Sequence, residues 1–318
     1  MAPALEVLTV GRISVDLYAD ELGVGWNSVS HFVVAVGGTA TNVAIAATRL
    51  GHHAAVFTKV GQDPQGEYVR HRLGELGVDT TYVGVSPGLH TPLAFAVLDP
   101  PEDPPLVFYR DPIAPDLTIE TTDIDLDVVD DVPVFWITGT GVSTEPSAST
   151  ILTLCAHRGR RAHTVVDLDY RAMLWASEDD ARRAIPQLLD FATVVVGNRT
   201  ECDIAVSTTD PDTAADRLLA RGVSLAIVKM GGDGVLVATP DTRVKVPPFP
   251  IQVYCGLGAG DAFGGALVHG LLRGWDPSRI GLFANAAGAL VASRLLCSDA
   301  MGTEEEILTL MERDHATL

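Results

Sequence analysis

Two apolar patterns share this chain. Short uninterrupted runs such as Val134-Phe-Trp-Ile-Thr138 and Leu225-Ala-Ile-Val-Lys229 stop at Gly, Asp, Thr or Lys, whereas longer segments repeat apolar residues every three or four positions. The first pattern suits strands buried on both faces and the second suits helices packed against them. Leu5 to Val10 reads as the first strand, ending at Gly11. Val15 to Tyr18 and His31 to Val36, separated by Gly23, Gly25 and Asn27, read as a hairpin-like pair. A small-residue helix with Asn42 in its first turn then runs to Gly51, followed by strand Ala54 to Val60 and helix Gln65 to Leu76.

Further strands are expected at Thr80 to Val85, Pro92 to Leu98 and Leu106 to Arg110. This first third carries more β than simple alternation requires. A small extra sheet, with strands within 12–36 and 90–112, would absorb the surplus and could cover a site as a lid. From Val134 onward the alternation is regular: strands Val134 to Thr138, His163 to Val166, Thr193 to Val196 and Leu225 to Lys229 are interleaved with helices Pro146 to His157, Glu178 to Leu189, Arg199 to Ala205 and Asp212 to Ala220. Strands Gly234 to Ala238 and Arg243 to Val246 precede helices Gly260 to Arg273, Pro277 to Leu296 and Glu304 to Arg313. The whole, 1–318, is expected to be one α/β domain with a mostly parallel sheet.

Charge and cysteine usage narrow the partners. A formal net charge of −19 argues against nucleic acid and against an anionic membrane surface. The four cysteines form no C-x-x-C pair or zinc pattern and read as reduced thiols of a cytoplasmic protein. Met1 to Val10 lacks a basic region followed by a long apolar one, so no signal peptide is expected, and no apolar run reaches spanning length.

The stretch richest in chemistry is Cys255-Gly-Leu-Gly-Ala-Gly-Asp-Ala-Phe-Gly-Gly265, ahead of a long apolar helix. Glycines there let backbone approach a ligand, and the helix start turns free N–H groups toward one point, which suits an anion. Asp261 beside such a cradle fits a proton acceptor for an alcohol attacking a phosphoryl group, although a tight turn with an acidic first-turn residue would look the same. Asp16 either binds sugar hydroxyls at the end of the first strand or is a plain loop residue. Asn42, after Gly37-Gly38, either satisfies a neighbour or reads ligand hydroxyls. Strand ends also carry Asp167, Asp169 and Arg171, then Asn198 with Glu201, then Lys229. Asn198 and Glu201 suit a hydrated Mg²⁺ carried by nucleotide phosphates, and Asn198 alone suits a helix cap.

In this order the motifs resemble those of the ribokinase-like (PfkB) carbohydrate kinases over nearly the whole chain: Gly37-Gly38 with Asn42 and Ala44, Asn198-Arg-Thr-Glu201, and Gly258-Ala-Gly-Asp261. The resemblance implies a three-layer α/β/α fold with a small β-sheet lid that pairs with a second copy. It implies ATP as co-substrate with Mg²⁺ held through water by Glu201. Asp261 would be the base, with the N–H groups of Gly258, Ala259 and Gly260 as the anion hole. Asp16, Gly38 and Asn42 would hold sugar hydroxyls. Asn198, Glu201, Lys229, Gly231, Gly234 and Asn285 would serve the nucleotide.

Cys255 and Gly256 stand where the family usually has Asp-Thr, so activation by K⁺ is not expected. Val107 to Asp111, Asp167 to Trp175 and Ser298 to Met301 are similar to segments of the kinases that act on 5-dehydro-2-deoxy-D-gluconate. Arg110 and Arg171 would then grip a carboxylate, although Arg110 also suits an ion pair on the lid surface and Arg171 also suits the phosphoryl group. Other acceptors within the class are 2-dehydro-3-deoxygluconate, fructose, ribose or a nucleoside. A ligand-binding protein without turnover is the alternative of a different class. A dinucleotide oxidoreductase fits poorly, because the glycine-rich turn comes near the end of the chain.

Overall fold

The computed structural model describes residues 4–315. The first and last three residues of the expected domain, including the start of the segment read for a signal peptide, lie outside the described residues. The strands are β1 (Val7–Val10), β2 (Ser14–Ala19), β3 (Phe32–Gly37), β4 (Ala54–Gly61), β5 (Val83–Ser86), β6 (Leu93–Ala96), β7 (Leu106–Tyr109), β8 (Val134–Thr138), β9 (Thr164–Asp167), β10 (Val194–Asn198), β11 (Leu225–Lys229), β12 (Val235–Ala238) and β13 (Arg243–Val246). The helices are α1 (Thr39–Arg49), α2 (Pro64–Glu75), α3 (Leu126–Asp131), α4 (Ser147–Arg158), α5 (Glu178–Leu188), α6 (Arg199–Val206), α7 (Pro211–Ala220), α8 (Ala259–Leu272), α9 (Pro277–Ala292) and α10 (Glu304–His315).

Among the described residues, nine strands form one sheet in the order β13-β12-β11-β10-β9-β8-β1-β4-β5. Pairing is parallel from β11 through β5 and antiparallel for β12 and β13 at one edge. Alternation along each central strand feeds two cores. Val134 and Trp136 of β8 join one core with residues of α1, α8 and α9, while Phe135 and Ile137 join the other with residues of α4 to α7. Burial on both faces is why these strands are almost wholly apolar.

A second sheet runs β3-β2-β6-β7, with β2 and β6 parallel and both outer pairs antiparallel. The strand near Thr80 to Val85 belongs to the large sheet, where β5 pairs with β4. The α9 helix stops at Ala292 rather than running to Leu296. Beyond it Arg294 turns to donate to the Ala300 carbonyl and Glu306, and Leu295 and Leu296 pack with Tyr18 and Ala35 of the small sheet. Among the described residues, no helix is long and apolar enough to cross a membrane.

Candidate active site

The carboxyl ends of the parallel strands converge under the small sheet, where open α/β sheets collect ligands. There the strand-end residues Asp167, Asn198 and Lys229 meet Asp16 of β2, Asn42 of α1 and Asp261 of α8 around a cavity of about 440 Å³.

On the small-sheet side, Asp16 lies within β2, not in a loop after β1. Its carboxylate accepts hydrogen bonds from Ser14 Oγ at 2.6 Å and Tyr18 OH at 3.2 Å. Burial pushes its pKa up to about 6, against the opposing pull of those hydroxyls and Arg12. Gly37 makes this placement possible, because a Cβ there would lie 2.0 Å from the Asp16 carboxylate. Gly38 has φ +101, and a Cβ on it would lie 2.2 Å from the Arg12 carbonyl. The paired glycines therefore let the entry to α1 cross the chain after β1.

Asn42, in the first turn of α1, donates through Nδ2 to Asp261 Oδ2 at 2.7 Å, and its own Oδ1 is buried without a partner. Such an orphaned acceptor is costly unless a ligand donor satisfies it. Asp261 sits in the first turn of α8, which opens with Gly258 at φ +79. The N–H groups of Gly258, Ala259 and Gly260 stand at the helix start, where the helix itself offers no acceptor. Burial raises the Asp261 pKa, the Asn42 hydrogen bond opposes this, and Asp169 adds to it.

On the nucleotide side expected from the sequence, Asn198 and Glu201 form a reciprocal cap at the start of α6. Asn198 Oδ1 accepts from Glu201 N at 2.9 Å, and Glu201 Oε2 accepts from Asn198 N at 2.6 Å. Lys229 ends β11, and a Cβ on Gly260 would lie 3.4 Å from its Nζ, so the ammonium stands beside the α8 cradle. Burial works against its charge, but Asp167, Glu201, Asp261 and Asp169 together raise its pKa. Burial also pushes Asp167 up to about 8, with Lys229 opposing. Gly231 lines the cavity, whereas Gly234 forms the turn into β12, with its would-be Cβ 2.0 Å from the Val246 carbonyl.

Asn285 and Arg110 stand outside the lining of this cavity, whereas Arg171 stands at its rim. Asn285 of α9 donates to the Pro247 carbonyl at 2.7 Å and ties the helix to the segment after β13. Arg171 reaches the cavity but is 43% exposed, with Nε 3.9 Å from Asp169 Oδ1. Arg110 lies outside the main cavity. It pairs with buried Asp116 at 2.6 Å and faces an adjoining cavity of about 220 Å³. The other oxygen of Asp116 accepts the Ile13 N–H at 3.1 Å, so the short link from Arg110 leads back to the segment after β1. The lid-surface ion pair considered from the sequence is replaced by this inward one.

Sequence reasoning missed Arg12. Its side chain is 7% exposed and borders both cavities. Nε donates to Thr140 at 3.0 Å, while Nη2 donates to Thr39 at 2.5 Å and to both Asp169 oxygens at 3.1 Å. Asp169 holds φ +30, a conformation that costs a non-glycine residue energy and recurs at functional sites. Arg12 follows Gly11 at the carboxyl end of a central strand. That position was a usable signal, but its partners lie 27 to 157 residues away.

The family's Asp-Thr position has a structural replacement here. Gly256 N donates to the Pro101 carbonyl at 2.8 Å, and a Cβ on Gly256 would lie 2.1 Å from the Glu102 carbonyl. The segment between β6 and β7 thus docks against the cradle, and Glu102, Asp103 and Pro104 border the cavity. Cys297 packs over Gly258 and shares a 2.7 Å hydrogen bond with Tyr18 of β2.

Comparison with known proteins adds an independent line. Residues 4–304 match the model of the pfkB family carbohydrate kinases. The chain is 30% identical over 318 residues to 5-dehydro-2-deoxygluconokinase 2 of Bacillus cereus, covering 97% of this chain and 95% of that protein. It is also 30% identical over 317 residues to 5-dehydro-2-deoxygluconokinase of Bacillus anthracis, covering 96% and 95%. A fructokinase with bound ATP from Xylella fastidiosa superposes with a TM-score of 0.85 at 25% identity, covering 98% of this chain and 100% of that one. Fructokinase from Vibrio cholerae O395, in a form with fructose, ADP and calcium ion, superposes with a TM-score of 0.85 at 23% identity, covering 97% and 99%.

Proposed function

Since the chain belongs to the pfkB family of carbohydrate kinases, we propose that it transfers the γ-phosphoryl group of ATP to a primary hydroxyl of a sugar acid, with 5-dehydro-2-deoxy-D-gluconate as the favoured acceptor. The observation that carries this reading is Asp261 at the head of α8, beside the Gly258-Ala259-Gly260 cradle and hydrogen-bonded to Asn42 at 2.7 Å. The names of the two Bacillus relatives, and a cavity bordered by Arg12 and Arg171, favour an acid over a neutral sugar.

Asp16, the Gly38 backbone and Asn42 hold acceptor hydroxyls, and the orphaned Asn42 Oδ1 takes one of their protons in a hydrogen bond. Asp261 orients the reacting hydroxyl and accepts its proton as the oxygen bonds to the γ-phosphorus. The bond from that phosphorus to the bridging oxygen breaks, and ADP leaves. The raised pKa of Asp261 makes it a better proton acceptor than an ordinary carboxylate. The N–H groups of Gly258, Ala259 and Gly260, with Lys229 beside them, bear the charge spread over the transferring oxygens. Arg171, partly exposed at the rim, serves the carboxylate or the phosphoryl group.

Glu201 fits a Mg²⁺ site, because one carboxylate oxygen remains beyond its cap and this ion is usually completed by water and phosphate. Bound there, Mg²⁺ would neutralise phosphate charge. Asn198 holds Glu201 in place, Gly231 leaves room for the nucleotide, and Asn285 and Gly234 shape its binding region from behind. Cys255 supplies no carboxylate where the family usually has Asp, so turnover should not require K⁺.

We further propose a cytoplasmic homodimer. Among the described residues the cysteines are free. On the small sheet, the rings of Trp26, Phe32 and Phe95 lie 5.4 to 6.4 Å apart, and Val34 and Tyr109 are 44% and 59% exposed, a face a second copy would cover. Light scattering checks it: a monomeric mass for the parent protein rejects the dimer.

The test of function is ADP release with Mg²⁺ against 5-dehydro-2-deoxygluconate, 2-dehydro-3-deoxygluconate, fructose, ribose, adenosine and inosine. A kcat/KM for the acids well above that for the neutral acceptors supports the reading. Preference for a neutral acceptor removes the acid assignment and keeps the kinase, and silence across the panel favours a binding protein without turnover.

A further inference from the structure

We propose that Arg12 determines the acceptor class, reading the anionic end of the acceptor through its Nη1 where the main cavity meets the Arg110 cavity. The inference rests on the kinase reading above and assigns the discrimination to a residue outside its sequence motifs.

The geometry of the guanidinium carries the argument. Nε is committed to Thr140, and Nη2 to Thr39 and Asp169, while Nη1 has no partner among the described residues. Asp169 is itself saturated, since Thr140 Oγ1 donates to it at 2.5 Å and Thr39 Oγ1 at 3.2 Å. The group is therefore clamped on one edge, with the other left for a ligand. The Arg12 backbone is held too, because its carbonyl accepts from Thr41 at 2.8 Å and the next N–H is held by Asp116. Arg110 enters as the buttress of Asp116, a positioning residue whose Nη1 is buried and unpaired. Arg171 is the poorer reader, since it is 43% exposed and its charge is weakened by solvent.

Electrostatics gives the clamp a purpose. An acid acceptor places a second anion in a cavity that already holds Asp16, Asp167, Asp169, Asp261 and Glu201. Without a cation aimed at its far end, such an acceptor would be repelled. A neutral sugar would need none. The charge-assisted contact to an ordered, desolvated guanidinium supplies the discrimination.

Arg12→Lys tests this, because lysine keeps a cation beside Asp169 but loses the fork that aims Nη1. With the full-length protein, kcat/KM for 5-dehydro-2-deoxygluconate should fall about 10- to 100-fold through KM. The kcat, the KM for ATP and the kcat/KM for fructose should stay within about 3-fold. An equal fall for both acceptors, or no fall for the acid, overturns the proposal. Should Arg12→Lys fail to fold, Thr140→Val decides: it frees one edge of the guanidinium with the ion pair intact, and the acid-to-fructose ratio should drop several-fold. An unchanged ratio in that variant overturns the proposal.

The kinase reading can fail separately. If the parent releases no ADP with any acceptor, yet its Tm rises with the acid and not with fructose, loss of that rise in Arg12→Lys keeps the role of Arg12 and removes the kinase. A rise that persists in the variant, or no rise in the parent, removes Arg12 as the reader.

Discussion

The two sides of the cavity are built differently. Toward the small sheet, polar and charged side chains hold one another: Arg12 with Asp169, Asn42 with Asp261, and Ser14 and Tyr18 with Asp16. Toward β10 and β11, backbone does more of the work, through the α8 cradle and the reciprocal cap of Asn198 and Glu201. A network of buried side chains fixes shape and selectivity, but loses much when one member is removed. A backbone cradle selects charge with little regard to side-chain identity. Under the proposed function, the contrast fits acceptor choice on the first side and phosphate recognition on the second.

Substitution at the meeting point should have the largest effect. Asp261→Asn keeps the shape of the Asn42 contact but removes the proposed proton acceptor. Its kcat should fall by about 10²- to 10⁴-fold, with nucleotide affinity by calorimetry nearly unchanged. Next comes Asp169→Leu, which strands the Arg12 charge among buried groups. A loss of about 3–5 kcal/mol is expected in denaturant unfolding, and a loss under about 1 kcal/mol would show that the small-sheet side is less interdependent than its contacts suggest.

Titration gives a smaller effect with a definite sign. Burial lifts Asp16 to about 6 in the folded protein, against an ordinary 3.8, with Ser14, Tyr18, Arg12 and Asp261 around it. Between those values the folded state binds the proton and the unfolded state does not. The stability that Asp16 contributes relative to Asp16→Asn should thus decline as pH rises from about 4 to about 6, by roughly 3 kcal/mol. Thermal melts of both proteins across that window check it, and a gap independent of pH contradicts it. The smallest effect belongs to the cap: Asn198→Ala should cost about 1 kcal/mol, leaving the acid-to-neutral acceptor ratio unchanged.

Much of this was legible in the chain itself. Strands such as Val134–Thr138 and Leu225–Lys229 stand where the apolar runs placed them, because a strand buried on both faces announces itself without help from distant residues. The Gly258 to Asp261 turn was equally local. What stayed hidden depends on contacts between distant segments. The short acidic α3, Leu126–Asp131, is held by a distant residue, since Arg158 donates to the Val129 carbonyl. The apolar run through Leu296 suggested a longer α9, but Leu295 and Leu296 are drawn to the small sheet. Arg110 carried no local sign that it would turn inward to Asp116, and neither did Arg12 that it would meet Asp169.

The docking of Pro101 and Glu102 against Gly256 gives the two sides a common seam. Because β6 and β7 flank this segment, the hydrogen bond from Gly256 to Pro101 ties the small sheet to the loop leading into α8. Under the proposed function, thermodynamic reciprocity holds: whatever factor the acceptor adds to nucleotide affinity, the nucleotide returns to the acceptor. A glycine that contributes no side chain is thus the contact through which the two ligands of the proposed reaction would be coupled.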